Sequence, residues 1–111
     1  MRYMLIVRAT EASEGGVRPP RELEQARGKF NEDMVRGGVL LAAEALAASS
    51  DSTRIKFTGG RRTVSVGPFD PREVIAGFWL IQVRSREEAM EWASRCPFAD
   101  GEELELRKVV E

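Results

Sequence analysis

Two stretches of this sequence are apolar on both alternating faces. Near the start Tyr3, Leu5 and Val7 alternate with Met4 and Ile6, and within Ile75 to Val83 Phe78 and Leu80 alternate with Trp79, Ile81 and Val83. A strand of this kind belongs inside a sheet covered from both sides, so both faces of the sheet need a partner. Tyr3 to Ala9 is therefore expected as a first core strand and Ile75 to Val83 as a second. Every other element has to be arranged around them.

The connecting segments carry their own signals. Thr10 to Val17 is small, polar and glycine-containing, and reads as a loop. Pro19 and Pro20 precede a 3.6-residue pattern at Leu23, Ala26, Phe30 and Met34, which predicts a helix from about Arg21 to Arg36 stopped by Gly37 and Gly38. Val39 to Ala48 is rich in Ala, Leu and Glu, and propensity alone would make it helical. A strand is expected instead, because it gives the first helix a crossover to complete. Ile55 and Phe57 alternate with Arg54 and Lys56, and Val64 and Val66 with Thr63 and Ser65. Gly59-Gly60 between them predicts a two-residue hairpin with positive φ at both glycines. Gly67-Pro68 ends it, and Phe69 to Glu73 is expected as a turn or short helical linker. Ser85 and Glu88 form a Ser-x-x-Glu capping box, opening a helix that aligns Ala89, Trp92, Ala93 and Cys96 before Pro97. A final strand from about Glu103 to Val110 alternates Leu104 and Leu106 with Glu105 and Arg107, the pattern of a wet face or an edge.

The order β-α-β, hairpin, β-α-β is that of a ferredoxin-like α+β domain: a split βαβ arrangement with an antiparallel sheet, an inserted hairpin and two helices on one face. The other sheet face is expected to pack against a second copy, since an isologous contact buries the same patch on both subunits. At 111 residues the chain is one domain, expected to bury roughly two-thirds of its unfolded surface. Seventeen Lys and Arg against 18 Asp and Glu leave a net charge of −1, with no basic excess to draw nucleic acid or an anionic membrane. No apolar run approaches the roughly 20 residues that span a bilayer. One cysteine, Cys96, allows no internal disulfide, and MRYMLIV lacks a long leader-like core, so a cytoplasmic protein is expected.

Four segments, MRYMLIVRAT, GVLLAAEAL, FTGGRRTVSVGPF and EVIAGFWLIQVRSREEAMEWASRCPF, together resemble the YCII-related family, in particular its DGPF-motif branch. The resemblance covers nearly the whole chain and implies a dimeric α/β-barrel of ferredoxin-like protomers. Some members of that branch are encoded with or fused to extracytoplasmic-function sigma factors, and some wider relatives look like small-molecule lyases. Two departures stand out: Val66 occupies the motif's Asp position, and the chain has no histidine. A His-Asp mechanism would lack its near-neutral general base here.

Candidate chemistry is sparse. Glu44, in an apolar strand with Leu40, Ala42 and Leu46 expected on its face, could have a raised pKa and act as a general acid or base. Its alternative role is a buried salt bridge or a rim residue that closes the dimer. Arg72 and Glu73 match a basic-acidic pair in the family's linker. With Arg54, Lys56, Arg61 and Arg62 they could make a cationic mouth for a carboxylate or phosphate, or simply be solvated edge charges. Phe69, Phe78, Trp79 and Trp92 could line a pocket or fill the core. Cys96, at a helix C-terminus without a histidine to activate it, is not expected to be a nucleophile. The paired glycines fit no phosphate-binding spacing, and one Cys without His offers no zinc site, leaving only a carboxylate magnesium site open. No cofactor is expected.

Three functions fit these residues. The first is a small-molecule-binding or ligand-sensing homodimer, linked through the resemblance to sigma-factor-dependent stress transcription. Its ligand would be an unknown small molecule, anionic if the arginines bind it, and its cleft would be formed by Glu44, Arg72, Glu73 and Trp79. The second is a cofactor-free lyase or isomerase using Glu44. The third is a purely structural or protein-interaction dimer.

Overall fold

The computed structural model describes residues 1–111. Its strands are β1 (Arg2–Arg8), β2 (Leu40–Ala45), β3 (Thr53–Thr58), β4 (Arg61–Val66), β5 (Ile75–Gln82) and β6 (Leu104–Lys108), and its helices α1 (Glu11–Glu14), α2 (Arg21–Arg36) and α3 (Arg86–Arg95). Short 3-10 turns occupy Ser49–Asp51 and Pro71–Glu73. The main sheet runs β2-β5-β1-β6, and the β3–β4 hairpin forms a separate two-stranded sheet. Because β5 is antiparallel to both β1 and β2, those two run parallel with β5 between them. This is the split βαβ topology of a ferredoxin-like α+β domain.

Local chemistry explains most boundaries. Gly38, at φ +71°, lets the Val39 and Gly38 N–H groups donate to the Met34 and Val35 carbonyls, satisfying the end of α2. Ser85 Oγ accepts from the Glu88 N–H at 3.1 Å and caps α3. The return arm differs from the expected box, because the Glu88 carboxylate accepts from the Arg84 N–H at 3.1 Å. Gly59 and Gly60, at φ +56° and +78°, turn the hairpin as expected.

Helix α1 was not expected. Thr10 and Ser13 cap each other reciprocally, each side-chain oxygen accepting from the other's backbone N–H, so four residues coil inside a stretch that reads as loop. Two strands are also shorter than expected, β2 stopping at Ala45 and β6 covering only Leu104–Lys108. An irregularity between Leu40 and Ala42 corrects the facing within β2. Leu40 and Ala43 both pack against the core, so Leu40 does not share a face with Glu44.

The core lies on one face of the main sheet. Tyr3, Leu5 and Val7 of β1 and Trp79 and Ile81 of β5 join Phe30 and Met34 of α2 and Ala89 of α3. The Phe30 and Trp79 rings meet edge to face at 5.6 Å and 88°, a geometry worth about 1 kcal/mol beyond simple burial. On the opposite face, cross-strand rows place Ile6 beside Phe78 and Met4 beside Leu80, with no helix over them. Met4, Ile6, Phe78 and Leu80 are only half-buried there.

The chain keeps 7847 Å² of accessible surface, against about 6,100 Å² for a compact monomer of 12.4 kDa. Its radius of gyration is 15.8 Å, where a compact chain of this length has about 13 Å. Folding thus hides roughly 55% of the unfolded surface, less than the two-thirds expected from length. No helix is long and apolar enough to cross a membrane.

Candidate functional site

The sheet's core face is not filled along its whole length. Beyond Trp79 the side chains on β2 and β5 shrink to Ala43, Ala45 and Gly77, and a concavity of about 370 Å³ opens there. Gly77 is required by close approach: a Cβ at that position would lie 2.8 Å from the Glu44 carbonyl oxygen. Val7 and Trp79 floor the concavity, Arg27 and Asn31 reach it from α2, and Ser13, Val17 and Pro19 close it from α1 and the chain that follows. The wall is apolar with a few polar groups, the usual constitution of a small-molecule site.

Each polar group is held in place. Asn31 Oδ1 accepts a 2.6 Å hydrogen bond from the Trp79 indole N–H, which satisfies the buried ring nitrogen and fixes the amide; the Asn31 NH₂ has no partner within the chain. Arg27 Nη2 donates to Glu102 Oε1 at 3.1 Å and its Nε to the Pro97 carbonyl at 3.2 Å, with the guanidinium 5.3 Å from the Phe98 ring centre. Glu102 also accepts from the Ala99 N–H at 2.7 Å, which anchors the loop before β6. Cys96 sits beside this pair, and burial, reinforced by Glu102 and opposed by Arg27, pushes its thiol up to about 12. It is inert as a nucleophile at neutral pH.

A second recess, about 410 Å³, adjoins the first across Leu46, which lines both. Here the Arg54 guanidinium lies 3.8 Å from the Phe69 ring centre, donates to the Glu73 carbonyl at 3.2 Å and pairs with the Glu73 carboxylate at 3.6 Å. The wall between the recesses is anchored by Ser49, which is buried. Its N–H donates to Glu14 Oε2 at 2.9 Å, its hydroxyl donates to Glu14 Oε1, and its Oγ accepts from the Phe69 N–H at 2.8 Å. The Gly67-Pro68 peptide bond is cis, and a Cβ on Gly67 would fall 1.8 Å from the Ser49 carbonyl oxygen. Only glycine fits there.

The residues singled out in the sequence separate into three places. Arg54, Phe69 and Glu73 meet in the second recess, while Glu44 and Trp79 border the first. Trp79 contributes from the core. Glu44 follows Ala43 on a strand, so its carboxylate rises from the opposite, open sheet face, in one row with Phe78, Ile6 and Glu105. It is exposed and makes no ion pair within the chain. Arg72 and Lys56 line neither recess. The Arg72 side chain pairs with Asp70 at 2.6 Å, and its hydrogen bonds, side chain first and then backbone N–H, hold the Asp70 carboxyl down to about 2. Sequence reasoning passed over Ser13, Arg27, Asn31, Ser49 and Glu102. The one signal available for the cavity was the run of alanines in β2, too small to fill the space beneath α2.

Fold and cavity together define a ferredoxin-like α+β domain with a ligand-sized recess at one end of its helix-covered sheet. The chain belongs to the YCII-related family, whose domain model matches residues 1–111. A search of curated proteins finds no match.

Proposed function

We propose that this YCII-related protein is a cytoplasmic homodimer that binds a small organic molecule in the concavity between α2 and the Ala43–Ala45 segment of β2. The observation that carries this is the concavity itself, about 370 Å³ with apolar walls and an Asn31 NH₂ whose hydrogen-bonding capacity is unused. Arg27 is already neutralised by Glu102, so the ligand is better matched as a neutral, part-apolar molecule with an acceptor for Asn31 than as the anion expected from the hairpin arginines. Support for the homodimer comes from the half-buried Met4, Ile6, Phe78 and Leu80 face and from an accessible surface about 1,700 Å² above that of a compact monomer. The link to sigma-factor-dependent transcription rests on the family resemblance alone, and the role proposed on that basis is ligand sensing.

A metabolite library screened by thermal shift and tryptophan fluorescence tests this. A ligand present at 100 times its Kd is expected to stabilise the protein by about 2.7 kcal/mol. Ala45→Trp, which fills the concavity from an exposed position, is expected to abolish the shift while the protein stays folded. A wild-type protein that no neutral or charged metabolite stabilises sinks the proposal. The second reading, an enzyme of the lyase or isomerase type, draws on the unpaired Glu44 carboxylate beside Phe78. It requires turnover that Glu44→Gln eliminates with binding intact.

A further inference from the structure

The β3–β4 hairpin touches little of the molecule that carries it. None of the residues in Thr53–Thr58 or Arg61–Val66 is buried, and its two strands form a sheet of their own. An isolated two-stranded hairpin is at best marginally stable in water and needs a surface to pack on. The register pairs Ile55 with Val64 and Thr53 with Val66, so one face is apolar apart from Arg62, which lies opposite Phe57 with its guanidinium 5.6 Å from that ring centre. Ile55, Phe57, Val64 and Val66 are 52%, 68%, 61% and 70% exposed. Alternation puts Arg54, Lys56 and Arg61 on the other face.

Charge is segregated in the same way. Of the 17 basic residues the hairpin holds four, Arg54, Lys56, Arg61 and Arg62, and of the 18 acidic ones it holds none. The rest of the chain therefore has 13 cations against 18 acids, a formal −5 beside an arm of +4. A cationic arm and an acidic body attract each other across two copies of the chain as readily as within one.

We propose that the hairpin is a clamp that closes on the body of a second copy, burying its Ile55, Phe57, Val64 and Val66 face there. This rests on the homodimer proposed above and adds the exposed apolar side chains of the hairpin to the sheet contact. The four strands of the main sheet run 7, 6, 8 and 5 residues, so its open face covers about 400 Å² in plan. A stable interface hides about 800 Å² of accessible surface per partner. Four of the chain's eleven exposed large hydrophobic side chains stand together on this hairpin face. A nucleic acid is the weaker occupant, because it would sit on the Lys56 and Arg61 face, where Arg54 is already paired with Glu73, and leave the apolar one in water.

Sedimentation equilibrium on the full chain, with hydrogen exchange of residues 53–66, tests the clamp. Phe57→Asp and, separately, the β-preserving pair Ile55→Thr with Val64→Thr are expected to weaken the dimer at least tenfold and to speed exchange in the hairpin, with unchanged circular dichroism. Leu80→Asp, on the open sheet face, reports on the sheet contact independently. Hairpin variants that leave the dimer constant unchanged, while Leu80→Asp yields monomers, overturn the clamp and keep the sheet dimer. The reverse result keeps the clamp and removes the sheet contact. A wild type that stays monomeric at 100 µM overturns both. Micromolar binding of a 20-nucleotide duplex at physiological salt, lost in the hairpin variants without change in self-association, overturns the clamp in favour of a nucleic-acid ribbon.

Discussion

At the scale of single residues, two glycines and one serine decide how the recesses are built. Gly67 lies flush against the Ser49 carbonyl, and Gly77 against that of Glu44. Gly67→Ala would force backbone against backbone. A loss of about 3 kcal/mol or more is expected, roughly 10 °C or more in Tm, measurable by thermal denaturation. Ser49 gathers Glu14 and Phe69, which are 35 and 20 residues away, onto one hydroxyl and one amide. No local pattern announces such a node, since a serine in a polar patch is the commonest of loop residues. The same holds for Asn31, which is an unremarked polar position on α2 until the Trp79 indole is placed against it.

At the scale of elements, what was legible followed from short-range chemistry. The caps of α2 and α3, the Gly59-Gly60 turn and both double-faced strands are set by neighbours in sequence, and these appear within a residue or two of where the pattern puts them. Removing the α3 cap with Ser85→Ala is expected to cost about 1 kcal/mol, seen as a lower urea midpoint with an unchanged slope. What was not legible depended on non-local packing. Helix α1 is too short for periodicity to register, and the irregularity in β2 that reassigns Leu40 follows from pairing with β5. The alanine-rich β2 is the instructive case: its helical composition conflicts with its strand conformation, and the small side chains responsible for that conflict are the ones that open the cavity. The expected cleft of Glu44, Arg72, Glu73 and Trp79 divides because strand alternation and the Asp70 ion pair send Glu44 and Arg72 elsewhere.

At the scale of the whole molecule, one chain folds a complete helix-covered sheet and leaves two apolar surfaces in water, the open sheet face and the hairpin. The uncovered area also fixes how the protein responds to heat and denaturant. Heat capacity and denaturant slope both follow the surface released on unfolding, and a chain that already exposes 7847 Å² has less to release. A variant held monomeric should unfold with a heat-capacity increment and urea slope about 15% below those of a compact domain of equal mass. Calorimetry at matched concentrations checks this, and equal values for that variant and a compact domain would contradict it. The chain on its own then has a broad, shallow stability curve, less sensitive to both cold and heat than its size suggests, and the proposed homodimer would regain the curvature that a single core does not provide.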